Sequence, residues 1–240
     1  MNLIEKIIKK QKNLTENKSV TVAFIGDSVT QGCFECYTTS ATSLETVFDY
    51  KSAFSTRFKE IINLLYPNVQ VNVINSGISG DGATTGLERL ERDVLSFNPD
   101  LCVVSFGLND SCLSTLEKYS KALDGIFSKL KEKGVETIFL TQNCMCTKTS
   151  PHLKEELLKN LSVDFAKVQN DGVLKSFMQE AVSVASKYGV TVCDLYPVWE
   201  KLINSGVDVT ELLANKLNHP VREIHYYIAI KLIETIFGLN

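Results

Sequence analysis

Val22-Ala23-Phe24-Ile25-Gly26-Asp27-Ser28-Val29-Thr30 decides the fold of this chain. Four apolar residues run into Gly-Asp-Ser, the pattern of a buried strand that stops abruptly and leaves a hydroxyl at its carboxyl end. Open α/β sheets keep their active sites at that end. Serine also caps helices, so Ser28 alone identifies nothing, and its meaning depends on partners elsewhere in the chain.

Outward from this strand, apolar runs and helical periodicities alternate. Residues 2 to 15 place Leu3, Ile4, Ile7, Ile8 and Leu14 on one helical face, with Lys6, Lys9, Lys10 and Lys12 mostly on the other; residues 1–17 therefore read as an amphipathic helix packed on the domain. Strand one spans about Val20 to Ile25, and a Thr/Ser/Cys-rich stretch from Gly32 to Ser43 reads as a loop at a pocket rim. A helix from near Phe48 to Tyr66 is stopped by Pro67, and the alternation over Val69 to Ile74 reads as a strand near the sheet edge.

Further on, Leu101 to Phe106 is a continuous apolar run, as in a central strand. A helix (Leu116 to Lys133), a strand (Thr137 to Thr141), a loop (143 to 153) and a helical region broken near Asn170-Asp171-Gly172 follow. Val190 to Leu195 gives the fifth strand and Val221 to Phe237 the closing helix. Five strands alternating with helices predict βαβ units, hence one doubly wound domain over residues 1–240 with a parallel sheet covered on both faces.

Composition narrows the function classes. The 240 residues are 44% hydrophobic and 22% charged, with formal net charge -3, and no basic run suggests a nucleic-acid partner. Seven scattered cysteines fit reduced thiols and a cytoplasmic setting better than a disulfide scaffold. The lysine-rich start lacks the apolar core of a secretory signal, and no stretch approaches a membrane span, so no stable membrane association is expected.

Three short blocks follow the first three strands: Ser28, then Asn75-Ser76-Gly77-Ile78-Ser79-Gly80-Asp81-Gly82, then Gly107-Leu108-Asn109-Asp110. All three should crowd one carboxyl edge of the sheet. Leu217-Asn218-His219-Pro220 adds an imidazole just before the last helix. Serine needs a base to become a nucleophile, and the oxyanion it generates needs fixed donors. Glycine admits a close backbone approach, and an asparagine amide is a donor.

In this order the four blocks resemble those of the GDSL-type hydrolases of the SGNH superfamily, over residues 20 to about 235. The resemblance implies a flavodoxin-like three-layer α/β/α sandwich. It implies Ser28 as nucleophile, His219 as base, and Ser28, Gly77 and Asn109 as the oxyanion hole. The substrate class is then a small-molecule ester: short acyl esters such as O-acetyl groups on sugars, with lysophospholipids and thioesters as wider options. No cofactor or metal is required, and the oligomeric state is left open.

One position departs from the family. An aspartate is usual three residues before the histidine, and here that residue is Lys216. Asn215 offers a carbonyl oxygen that could orient the ring instead, Asp194, Asp208 and Glu211 are nearby carboxylates, and a backbone carbonyl is a further option. A non-catalytic binder of acylated ligands is the alternative this departure favours. Two weaker patterns remain in the sequence. Gly80 to Gly86 has Gly-x-Gly-x-x-x-Gly spacing, one residue too long for a dinucleotide loop, and Cys33-x-x-Cys36 with Cys144-x-Cys146 is poorly spaced for zinc.

Overall fold

A computed structural model describes residues 2–239. In chain order its elements are α1 (Leu3–Lys12), β1 (Val20–Gly26), α2 (Ser28–Gln31), β2 (Cys33–Thr38), β3 (Leu44–Phe48) and α3 (Phe54–Leu65). Then come β4 (Val71–Gly77), α4 (Ala83–Asp93), β5 (Leu101–Ser105), α5 (Leu108–Leu113), α6 (Leu116–Glu132), β6 (Glu136–Leu140) and α7 (Glu156–Asn170). Finally α8 (Val173–Tyr188), β7 (Thr191–Cys193), α9 (Tyr196–Asn204) and α10 (Arg222–Phe237) complete the chain.

Five strands form a parallel sheet in the order β4-β1-β5-β6-β7. The chain winds from β1 out to β4, then returns past β1 to β5 and onward. Winding therefore reverses between β1 and β5, and the crevice at their carboxyl ends is where such sheets bind ligands. Every residue of β5 is buried, as are all but Thr21 of β1, which is why both read as continuous apolar runs. Phe24 of β1 meets Phe54 and Phe58 of α3 edge-on at centroid distances of 5.7 and 5.5 Å. Each such pair contributes about 0.5–1.5 kcal/mol beyond its buried area. One apolar cluster extends from Leu3 to Ile233, and the expected α/β sandwich with a five-stranded doubly wound sheet is the architecture found.

Two local expectations change. The stretch after Gly32 is no loop: β2 and β3 pair as an antiparallel hairpin outside the main sheet, with a register shift between Cys33 and Cys36. Small polar residues hid the strands, since the alternation there is carried by Phe34, Cys36 and Tyr37 among serines and threonines. The first helix is shorter than expected; it buries Leu3 and Ile7, but Ile8 and Leu14 are exposed. Among the described residues, no helix is long and apolar enough to cross a membrane.

Candidate active site

The nucleophile candidate sits on a sharp strand-to-helix turn. Asp27 ends the strand and caps α2, its Oδ1 accepting the Val29 amide at 3.0 Å, and Gly32 closes α2 at φ 99°. Ser28 is thus the first residue of a one-turn helix at the reversal crevice. Opposite it, 191 residues along the chain, His219 Nε2 lies 2.9 Å from Ser28 Oγ. Both side chains are deeply set, at 3% and 4% exposure.

The other ring nitrogen decides the tautomer. His219 Nδ1 is 2.9 Å from the carbonyl oxygen of Phe34, in β2. A carbonyl only accepts, so Nδ1 carries the proton and donates it, leaving the Nε2 lone pair directed at the Ser28 hydroxyl. Burial lowers the imidazole pKa to about 4, against smaller upward effects of the Phe34 bond and of Glu35. The ring is therefore neutral at physiological pH, the form a general base requires.

Asn215 does not orient the ring. Its Oδ1 accepts the backbone amides of Leu217, Asn218 and His219 at 3.0, 2.9 and 3.0 Å, so it shapes the loop while the ring bonds elsewhere. Lys216, at φ 59°, turns away to the Glu211 carboxylate and carbonyl. Asp208 pairs with Lys148 and Asp194 accepts from Thr141. Of the groups the sequence offered, the backbone carbonyl is the one that reaches the ring.

Gly77 is also reassigned. Its amide donates to Asn75 Oδ1 at 3.0 Å and so is not free for a substrate oxyanion. A Cβ there would fall 2.2 Å from the Gln31 amide nitrogen, so glycine serves the close passage of β4 beneath α2. Three residues on, Gly80 sits at φ 80° with open space around it, and no acceptor takes its amide among the described residues. The Ser79 amide binds Gln31 Oε1 at 2.6 Å, and Asn109 Nδ2 binds the Asp81 carbonyl at 2.8 Å. Gly80 is thereby held between α2 and Asn109, whose second amide hydrogen meets no acceptor among the described residues. Repeated glycines in this block made the choice between 77 and 80 undecidable by pattern alone.

Arg89, on α4, is a charged residue placed inside the fold beside the site. It is buried, and its guanidinium binds Asp81 Oδ2 (2.6 Å), the Ser76 carbonyl (2.6 Å) and the Gly26 carbonyl (3.0 Å). Those contacts tie the ends of β1 and β4 to the Gly80 loop. Asp110 accepts the Ala83 amide that opens α4. Burial raises its pKa to about 6 and that of Asp27 to about 7, the nearby charge of Asp81 adding to the rise in both and that of Asp110 to the rise in Asp27. Asp27 also accepts from Gln142 Nε2 at 3.1 Å, and it serves as a loop-fixing acceptor.

Residues 143 to 146 brace the histidine loop from below. Asn143 Nδ2 donates to the Asn218 carbonyl and the Cys146 amide to that of Leu217. Cys144, Met145 and Cys146 are buried, and all seven cysteines are free thiols. No cluster of three or more ligating side chains forms among the described residues. His225 is buried and accepts the Phe54 amide on Nδ1, whereas His152 is a surface residue beside Glu211. Gly86 opens no nucleotide loop; a Cβ there would meet the Phe106 ring at 2.4 Å.

The sequence profile of the GDSL-like lipase/acylhydrolase family matches residues 24–225. No curated protein matches the chain. Among solved structures, a two-domain esterase active on acetylated mannans superposes with a TM-score of 0.67 at 18% identity, covering 98% of this chain and 52% of that one. The chain thus spans about half the length of that esterase. An acetylxylan esterase from Geobacillus stearothermophilus gives 0.67 at 17% identity, with 90% and 94% covered. The lipase/acylhydrolase from Enterococcus faecalis gives 0.64 at 22% identity, with 92% and 96% covered.

Proposed function

We propose that the chain, which belongs to the GDSL-like lipase/acylhydrolase family, is a carboxylic ester hydrolase that removes short acyl groups, O-acetyl above all, from carbohydrate esters. The observation that carries the reading is the Ser28–His219–Phe34 relay, hydroxyl to imidazole to carbonyl, with both contacts at 2.9 Å.

Ser28 Oγ attacks the ester carbonyl carbon while its proton passes to His219 Nε2. Negative charge gathers on the former carbonyl oxygen and is met by the Ser28 amide, the Gly80 amide and Asn109 Nδ2. Collapse of this intermediate expels the alcohol, which takes the proton from Nε2 and leaves acyl-Ser28. Water repeats the sequence, giving the carboxylic acid and free enzyme. The chemistry needs no cofactor. Replacing a triad aspartate by asparagine costs about 10⁴ in turnover because it imposes the wrong tautomer. A carbonyl acceptor keeps the right one, so that loss does not apply here.

Three features support a short acyl group on a sugar. Ser28 lies deep, which favours a small acyl group over a long chain. The hairpin beside it exposes Tyr37 and Phe48, and Tyr50 just beyond its end is exposed as well, flat surfaces on which sugar rings can lie. The structural neighbours named above include esterases described as acting on acetylated mannan and acetylxylan. A series of 4-nitrophenyl esters should peak at acetyl, acetylated xylo- or manno-oligosaccharides should release acetate, and Ser28→Ala should abolish both activities. A maximum at long chains would overturn the substrate class, and a Ser28→Ala rate equal to wild type would overturn the mechanism in favour of a binding protein.

A further inference from the structure

A backbone carbonyl can orient the imidazole only if the peptide that carries it is held in place. Phe34 and Glu35 flank that peptide, on a two-stranded hairpin outside the main sheet. Isolated hairpins are marginal in water, so something else must fix this one. Arg222, three residues after His219 and first in α10, grips it from several directions. Its Nη1 and Nη2 bind the two Glu35 carboxylate oxygens at 2.6 and 3.0 Å, and its Nε binds Asp49 Oδ2 at 2.9 Å, just beyond β3. The guanidinium carbon lies 4.3 Å from the centroid of the Phe34 ring.

The clamp therefore holds both residues of the Phe34–Glu35 peptide unit, one by ring stacking and one by a forked ion pair. It springs from the same segment that carries the imidazole. Hairpin carbonyl and ring nitrogen are consequently referenced to one short stretch, 219 to 222. The charge of Glu35 raises the His219 pKa, while His219 and Arg222 both lower that of the buried His225.

We propose that Arg222 is a positioning residue for ester hydrolysis: by gripping Glu35, Asp49 and the Phe34 ring it keeps the Phe34 carbonyl against His219 Nδ1, the role an aspartate at position 216 would otherwise have. The proposal rests on the Ser28–His219 reading above. A shift on the order of 1 Å at a reacting group can cost about 10²-fold. Arg222→Gln should accordingly lower kcat on 4-nitrophenyl acetate about 10²-fold with KM nearly unchanged, and Arg222→Lys should recover part of the loss. Glu35→Gln should act through the same clamp, so the double variant should be no slower than Arg222→Gln alone.

In ¹⁵N-histidine-labelled protein the His219 Nδ1–H proton should be visible in wild type and broadened away in Arg222→Gln. A kcat indistinguishable from wild type, with the Nδ1–H signal intact, would overturn the proposal. So would strictly additive losses in the double variant. Should Arg222→Gln not fold, the same two readouts on Glu35→Gln decide the matter. Failure of the esterase reading is distinct: wild type would then show no Ser28-dependent hydrolysis, while the Nδ1–H signal, which needs no substrate, would still report on the clamp.

Discussion

Two arginines hold the two halves of this site, and they do so in opposite settings. Arg89 stands under the oxyanion side with 6% of its side chain exposed, paired with an Asp81 that is 7% exposed. Arg222 stands over the base side at 36%, facing Glu35 at 46% and Asp49 at 28%. Buried charge left without its partner is expensive, whereas a solvated ion pair is worth little to stability. The oxyanion loop is thus welded into the fold, and the base is aligned by contacts that scarcely affect folding. On the proposed assignment, similar bonds serve folding on one side and catalytic geometry on the other.

Three perturbations separate these roles. Arg89→Met should cost about 3–5 kcal/mol by stranding Asp81, lowering Tm on the order of 10 °C in a thermal melt. Thermal stability equal to wild type would erase the contrast. Asn109→Ala should leave Tm close to wild type but reduce kcat about 10²–10³-fold, the usual loss of one oxyanion donor. Its failure to slow turnover would remove Asn109 from the hole.

The smallest effect concerns pH. His219 must be unprotonated, so kcat/KM, which reports the free enzyme, should fall only as pH drops through about 4. Glu35 raises the imidazole pKa, and Glu35→Gln should therefore move that acid limb to lower pH. Linkage has a definite sign here as well. A folded pKa below the unfolded value of 6.5 gives stability that is complete above about 6.5 and lost as pH falls toward 4. An acid limb near 6.5 would mean that the ring is less buried than described.

The sheet was legible because buried parallel strands announce themselves: Val22 to Ile25 and Leu101 to Val104 have no polar interruption. Ser28, Asn109 and His219 were legible because each follows or precedes an element the periodicity locates. What escaped is what depends on contacts between distant segments. The Phe34 carbonyl has no side-chain signature, and its meeting with His219 spans 185 residues. Gly77 and Gly80 differ in whose amide is already bonded, which residue type does not encode. Nothing in the local sequence around Arg89 or Arg222 points to the partners that hold them, among them the Gly26 carbonyl 63 residues away and Glu35 187 residues away. Lys216 was the one clue that the base would be oriented in another way.

Acylation of Ser28, with His219 as its base, leaves a covalent mark that can be weighed. Wild-type protein quenched in acid during turnover of 4-nitrophenyl acetate, then digested and weighed by mass spectrometry, should carry one acetyl group on the peptide containing Ser28. That adduct should be absent from Ser28→Ala and greatly reduced in His219→Ala. Acetate release at undiminished rate from Ser28→Ala, or an acetyl group found on another residue, would contradict it.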